Sequence, residues 1–230
     1  MDRLEIDRKI GLYLKSIDVR SMEFFEEMYD HILSSHDNRK DPNESIEHHL
    51  NEVIQPSFGG VKGIKAIVKK QQKLRQKALL NRFFQISKQY FLSWPYAAYT
   101  VMITLLVIQA NQIFAPKNVL IYIMGIGVIS TIAISGYGSL KFYLSCRRAN
   151  KPYSYSDANN RLLGLATLGT SFTNLFLNLF GTFFFGSQKA ALEFYTNYPI
   201  LQVAMCTVFS LYALVYLKIH KEKFVHKISI

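Results

Sequence analysis

The chain alternates between amphipathic stretches and uniformly apolar ones, and this pattern predicts its elements. Residues 91–140 carry one charged side chain, Lys117, and residues 162–217 carry two, Lys189 and Glu193. Apolar runs of about 18 residues or more are typical of transmembrane helices, because lipid offers the backbone no hydrogen-bond partner. The pattern therefore predicts four transmembrane helices, at 94–114, 118–140, 162–186 and 198–217.

The first sixty residues have helical periodicity of a different kind, with apolar stripes between polar faces. This periodicity predicts three short amphipathic helices over residues 1–60. Asp18 or Ser21 is expected to cap the second helix, and the third is expected to begin with Asp41 as cap and Pro42 in the first turn. The region holds 13 of the 16 acidic residues and is predicted to be a small acidic domain.

A basic segment connects this domain to the first apolar run. Residues 61–90 contain nine Lys and Arg side chains and no acid, and a juxtamembrane helix is predicted over 61–93. Basic charge beside a bilayer attracts anionic headgroups. The side chains expected to contact lipid headgroups are Lys69, Lys70, Lys73, Arg75 and Lys77.

The basic residues that flank the apolar runs predict the topology. Along the chain these flanks carry nine, one, five, one and four Lys or Arg residues. Cytoplasmic loops carry the excess of Lys and Arg, so the N-terminus, the 141–161 loop and the 218–230 tail are expected to be cytoplasmic. The resulting fold is all-α, with a cytoplasmic helical domain, a basic linker helix and a four-helix transmembrane bundle. Its expected location is the inner or plasma membrane.

Small and polar residues recur every four positions in two of the apolar segments. In the second they form a ridge that would let another helix approach closely, made by Gly127, Thr131, Ser135 and Ser139 with Gly136 and Gly138 beside it. In the third, a face containing Thr170, Asn174 and Asn178 is expected to turn inward, because amides are costly against lipid. Either this polar face lines a path for a ligand or ion, or it makes interhelical hydrogen bonds.

The acidic domain contains a candidate face for binding a protein partner, but no recognisable catalytic or metal-binding motif. Glu23, Glu26, Glu27 and Asp30 lie close together on the second helix and are predicted to bind a protein partner. They lack the paired histidines of a helical zinc motif, and we expect no metal, no cofactor and no catalytic residues. The basic charge accompanies no recognised nucleic-acid fold, so no nucleic acid is expected.

The first sixty residues also resemble a known family. Tyr13-Leu14 lies in the opening helix, Arg20 precedes an acidic stretch at 26–32, a capped helix starts at 41–44, and a Pro/Gly turn follows at 56–60. Together these features resemble the small helical HAAS-type domain of bacterial membrane proteins. The resemblance implies a bacterial signalling or adaptor module, often encoded near PadR-type repressors, and it implies no enzyme chemistry.

These observations favour a membrane-integrated regulatory or adaptor protein whose acidic domain binds a cytosolic or membrane protein. A small transporter or channel subunit that uses the polar face of the third transmembrane helix is the alternative. An enzyme has the least support, because only the 141–161 loop offers polar groups at an interface. A homo-oligomer is compatible with either function.

Overall fold

A computed structural model describes residues 3–39, 41 and 43–222. Within these residues the chain is helical, and its only β-type pairing is an isolated parallel bridge between Ser21 and Tyr155. The chain divides into two compact units. The first comprises the residues up to Gln76 together with Gly138–Asn160, and the second comprises Lys77–Tyr137 and the chain from Arg161 onward.

The first unit begins with two helices, α1 (Arg3–Ser16) and α2 (Met22–Asp37). The α2 helix is capped by Ser21, whose hydroxyl accepts a hydrogen bond from the Phe24 backbone N–H at 3.4 Å. Of the two predicted caps, the structure therefore uses Ser21. Asp18 instead adopts a left-handed backbone conformation (φ 67°) in the turn before it.

A short helical stretch follows, made of α3 (Ile46–His49), a π-helical segment (Leu50–Ile54) and α4 (Gln55–Ser57). Its cap is Ser45, so the predicted start at Asp41 was wrong. The Asp41 carboxylate accepts a hydrogen bond from the Asn43 backbone N–H at 2.9 Å and closes a local turn instead. Pro42 lies outside the described residues.

The long helix α5 (Gly60–Leu92) has nearly the bounds predicted for the basic linker helix. It starts after a turn in which Gly59 and Gly60 have φ values of 70° and 75°, a conformation that side chains with a Cβ rarely adopt. In the first unit, Ile64 on α5 is fully buried with Leu14, Ile32 and Ile54. This part of α5 is thus one wall of the core of the first unit.

Within the described residues, four helices are long and apolar enough to cross a membrane: α6 (Tyr96–Ile113), α7 (Pro116–Arg148), the helical run Asp157–Phe185 and α11 (Pro199–Lys221). The third run consists of α8 (Asp157–Thr173), a π-helical segment (Asn174–Leu179) and α9 (Phe180–Phe185). All four predicted apolar segments are therefore helices.

The connections between these helices differ from the prediction in two places. The predicted 141–161 loop is largely helical, because α7 continues to Arg148 and α8 begins at Asp157. Between the third and fourth apolar helices lies an unexpected short helix, α10 (Gln188–Asn197), capped by the Ser187 hydroxyl. Continuing or adding a helix satisfies backbone N–H and C=O groups that a loop would leave to water.

The core of the second unit joins residues of α5, α6, α7, α8 and α11. The predicted ridge on α7 is buried at Thr131 and Ser135, whereas a Cβ placed at Gly136 would meet open space. The Ser135 hydroxyl is hydrogen-bonded to the Tyr216 hydroxyl, which joins α7 to α11. Part of the predicted ridge therefore serves as a helix-packing surface.

Candidate functional site

The predicted acidic face of α2 meets a segment of its own chain in the first unit. One Glu23 carboxylate oxygen accepts a hydrogen bond from the Ser156 hydroxyl at 2.5 Å, and the other accepts from the Asp157 backbone N–H at 2.9 Å. The Ala158 N–H also donates to this carboxylate, at 3.3 Å. Glu23 thus caps the N-terminus of α8, where a negative charge complements the helix dipole. We call this contact the Glu23 clamp.

Backbone pairing reinforces the Glu23 clamp. The Met22 N–H donates to the Tyr155 carbonyl at 2.9 Å, and the Ser154 N–H donates to the Arg20 carbonyl at 3.1 Å. The side chain of Tyr153 lies edge-on to Phe25 and stacks on Phe142. The segment 149–156 is therefore held to the start of α2 by main chain and side chains together, and we call it the strap.

The other three acidic residues are more exposed than Glu23. Glu26 accepts a hydrogen bond from the Tyr153 hydroxyl at 3.3 Å. Glu27 accepts from the Gln71 amide at 3.1 Å and lies 3.6 Å from the Arg75 guanidinium. Asp30 is exposed. The predicted partner face is thus divided into one clamping carboxylate and a solvent-facing edge of Glu26, Glu27 and Asp30, which we call the acidic edge.

The four lysines predicted to contact lipid headgroups are more exposed than Arg75, which was predicted with them. Lys69, Lys70, Lys73 and Lys77 are exposed, whereas the Arg75 side chain is 15% exposed and faces Glu27. An arginine engaged in this way has fewer donors for a phosphate. Arg75 therefore faces Glu27 while its four lysine neighbours face solvent, and the headgroup contacts of all five residues stay a prediction.

Burial is the main cause of the pKa shifts of Tyr29, Tyr153 and His36 in the first unit. Burial, together with a 2.5 Å hydrogen bond to Asp7, raises the pKa of Tyr29 to about 12. Burial and then the Glu26 carboxylate raise the pKa of Tyr153, which keeps its hydroxyl a donor. Burial, then the positive charge of Arg39, lowers the pKa of His36.

His48 and His49 point to different faces of α3, as predicted. His48 is exposed, while His49 is buried and contacts Ser35 at 2.9 Å and Glu44 at 3.3 Å. Across the described part of the chain, no group of three His, Cys, Asp or Glu side chains is arranged to hold a metal ion.

The predicted inward-turning face of the third apolar helix lies on the outside of the second unit. Thr170 and Asn174 are exposed and Asn178 is half-buried, so the expectation that this face turns inward was wrong. The Asn178 amide donates to the Asn174 amide oxygen at 2.6 Å. Both lie in the π-helical segment and line an open groove of about 870 Å³ with Ser171, Leu175, Leu179, Thr182 and Phe183.

An amide pair that the sequence analysis missed lies inside the second unit. Asn111 of α6 and Gln202 of α11 exchange hydrogen bonds of 2.6 and 3.0 Å, and Gln202 also donates to the Pro116 carbonyl at 3.2 Å. Gln202 is completely buried. Asn111 lies near the end of the first apolar segment and Gln202 near the start of the fourth. Equal depth in neighbouring antiparallel helices was the signal that could have found the pair.

A second, apolar cavity of about 320 Å³ lies among α5, the third apolar helix and α11. Phe83, Phe172, Phe176 and Tyr212 are among its lining residues. The Tyr212 hydroxyl donates to the Ala166 carbonyl at 2.7 Å and to the Leu165 carbonyl at 3.0 Å. A cavity lined in this way suits an apolar group and offers no chemistry of its own.

Comparison with known proteins adds no family: no family model matches the chain, and no curated protein or solved structure matches it. The resemblance of the first sixty residues to the HAAS-type domain therefore stays a prediction.

Proposed function

We propose that this chain is a membrane-anchored regulatory or adaptor protein. Its helices α1 to α4 bind a protein partner, and its four apolar helices hold it in a bilayer. The observation that carries the proposal is the position of the acidic edge, which lies on the same helix as the Glu23 clamp. Binding at the edge would act on α2, and α2 holds the first residues of α8.

The acidic edge suits a partner segment that carries Lys or Arg. Glu26 and Glu27 are exposed despite their contacts, and the Glu27 side chain is 47% exposed beside Arg75. A carboxylate accepts several hydrogen bonds, so Glu27 can accept donors from a basic segment in addition to its contact with Arg75. Glu23 is less exposed and accepts three hydrogen bonds, so its role in the proposal is to hold the strap.

The proposed topology places the N-terminal domain and the C-terminal tail in the cytoplasm. It is supported by the alternating Lys and Arg counts in the flanks of the apolar helices. The packing of the strap against α2 supports it further, because two segments in contact must lie on the same side of a bilayer. A reporter fused near Lys117 or Lys189 is expected on the opposite side, and a cytoplasmic reporter there would overturn the topology.

A photo-crosslinking experiment tests the adaptor function in native membranes. A benzophenone amino acid at Asp30 of the full chain is expected to form a defined adduct with one protein. Glu26→Lys is expected to abolish the adduct, and the matched control Glu52→Lys, an exposed acid beyond α2, is expected to retain it. An adduct unaffected by Glu26→Lys, or no adduct, would count against the proposal.

A small transporter or channel subunit is a second candidate, favoured by the groove at Asn174 and Asn178. The groove opens on the outside of the second unit, so a path along it needs another protein surface to close it. Flux through reconstituted protein tests this function. If Asn174→Leu with Asn178→Leu leaves every tested flux unchanged in a folded protein, the transport function fails.

A further inference from the structure

Polar and small residues on the third apolar helix form a continuous outward stripe. We call it the amide stripe and define it by Gly164, Thr167, Ser171, Asn174, Asn178 and Thr182. All of these are exposed except Asn178, which is half-buried. A Cβ built at Gly164 would meet no atom within 4 Å, so the start of the stripe is flat and open.

The hydroxyl groups of Thr167 and Ser171 are satisfied within their own helix, whereas the two amides are satisfied only in part. The Thr167 hydroxyl donates to the Gly164 carbonyl at 2.8 Å, and the Ser171 hydroxyl donates to the Thr167 carbonyl at 3.2 Å. Two asparagines offer four N–H donors and two carbonyl oxygens. The single bond between Asn178 and Asn174 uses one donor and one lone pair, so most of their capacity faces outward.

Exposure of these two amides costs free energy because of their depth in the bilayer. Asn174 lies 11 residues before the end of the third run at Phe185, or about 17 Å along a helix, close to half of a hydrocarbon core. An acyl chain offers no hydrogen-bond partner there. The exposed Gln109 on α6 is different, because it lies four residues, about 6 Å, from the helix end at Ile113 and can reach the interface.

We propose that a second copy of this chain covers the amide stripe. An amide carries donors and acceptors together, so two identical stripes related by a two-fold axis along the membrane normal satisfy each other. Copies inserted in the same orientation meet with Asn174 opposite Asn174. Gly164, Thr167 and Ser171 allow the two backbones to approach, as small residues do in membrane helix pairs. Leu175, Leu179 and Phe183 line the same groove and add apolar contact.

The test measures self-association of the full chain in vesicles, by single-molecule photobleaching over a range of protein-to-lipid ratios. The unchanged chain is expected to be dimeric at high density and to dissociate on dilution. Asn174→Leu with Asn178→Leu is expected to raise the dissociation constant about tenfold or more. The matched control Gln109→Leu, which also replaces an exposed amide, is expected to leave the constant unchanged.

A second variant distinguishes weaker dimerisation from loss of folding. Ser171→Leu adds bulk to the stripe at a residue whose hydroxyl bonds only to its own helix, and it is expected to weaken the dimer while helicity stays unchanged. Monomers at every density would overturn the proposal. So would a dimer that both stripe variants leave intact, or a different protein purifying with the chain in place of a second copy.

Discussion

The acidic face of α2 and the amide stripe of the third apolar helix invite comparison, because each contains a residue whose surroundings differ from those expected from the sequence. The acidic face was expected to be open for a partner, yet its Glu23 holds the strap and Glu27 faces Arg75. The amide face was expected to turn inward, yet Asn174 is exposed. The comparison shows that sequence pattern identifies the buried face of an amphipathic helix, but not that of a uniformly apolar helix.

In an amphipathic helix the apolar stripe identifies the buried face, and α2 follows its pattern with Phe25, Met28 and Ile32 buried. The pattern does not identify which distant segment will meet the polar face. In an apolar helix nearly every side chain can face lipid or protein, so periodicity gives no direction. A few polar residues then have to be interpreted without knowing which neighbours satisfy them.

The largest effect is expected from breaking the Glu23 clamp. Glu23→Leu removes a carboxylate that accepts three hydrogen bonds at the start of α8. Loss of such a charged cap costs about 2 kcal/mol. Hydrogen exchange at the Asp157 and Ala158 amides is expected to rise accordingly, while Asp30→Leu on the same helix leaves it unchanged. Equal protection in both variants would mean that the clamp does not hold the strap.

The second-largest effect is the difference in stability loss between replacing the buried amide of Gln202 and the exposed amide of Asn174. Gln202→Leu is expected to destabilise the second unit by about 1–2 kcal/mol, because it leaves Asn111 and the Pro116 carbonyl without their partner. Asn174→Leu, made on the outward stripe, is expected to change the stability of the monomer by less than about 0.5 kcal/mol. Unfolding in mixed micelles at monomeric concentrations measures both. Equal losses would show that the stripe is not an outer surface.

A smaller effect is expected from the lysines of α5. Lys73 is exposed, whereas Arg75 faces Glu27. Lys73→Gln is expected to reduce retention of anionic lipid by about fivefold, which corresponds to about 1 kcal/mol for one charge near the surface. Arg75→Gln is expected to reduce it much less. Native mass spectrometry of the full chain with bound phosphatidylglycerol distinguishes the two, and a larger loss with Arg75→Gln would reverse their roles.

The smallest effect is a pH dependence of the first unit. Burial first, and then Arg39 and His49, lowers the pKa of His36, so the unfolded chain takes up a proton near its ordinary value while the folded one resists. Stability of α2 is therefore expected to fall as the pH drops below about 6.5. Hydrogen exchange of α2 at several pH values measures it. The slope should flatten in His36→Phe, and an unchanged slope would assign the effect to other groups.

The sequence predicted the parts of the fold that depend on local pattern. The four apolar helices follow from composition, and of the two predicted caps for α2, Asp18 and Ser21, the structure uses Ser21. The extension of α7 to Arg148 and the α10 helix were missed, because polar helical residues next to apolar segments resemble loops in composition.

The candidate sites were predictable only in part. The residues of the acidic face were found from their spacing, but the partner of Glu23 lies more than 130 positions away in the chain. The Asn111–Gln202 pair also joins distant segments, at a separation of 91 residues. Such contacts depend on how helices are arranged in space, and a single sequence contains no direct signal of that arrangement.

The strap has a consequence for biogenesis. A ribosome has to synthesise the first two apolar helices before residues 154–158 exist, so the N-terminal domain emerges long before its last contacts can form. Closing a loop of this length is slow relative to local helix formation. Completion of the domain is thereby tied to synthesis of the helix pair that precedes the strap, and a nascent chain arrested before Ser154 would carry an unfinished N-terminal domain.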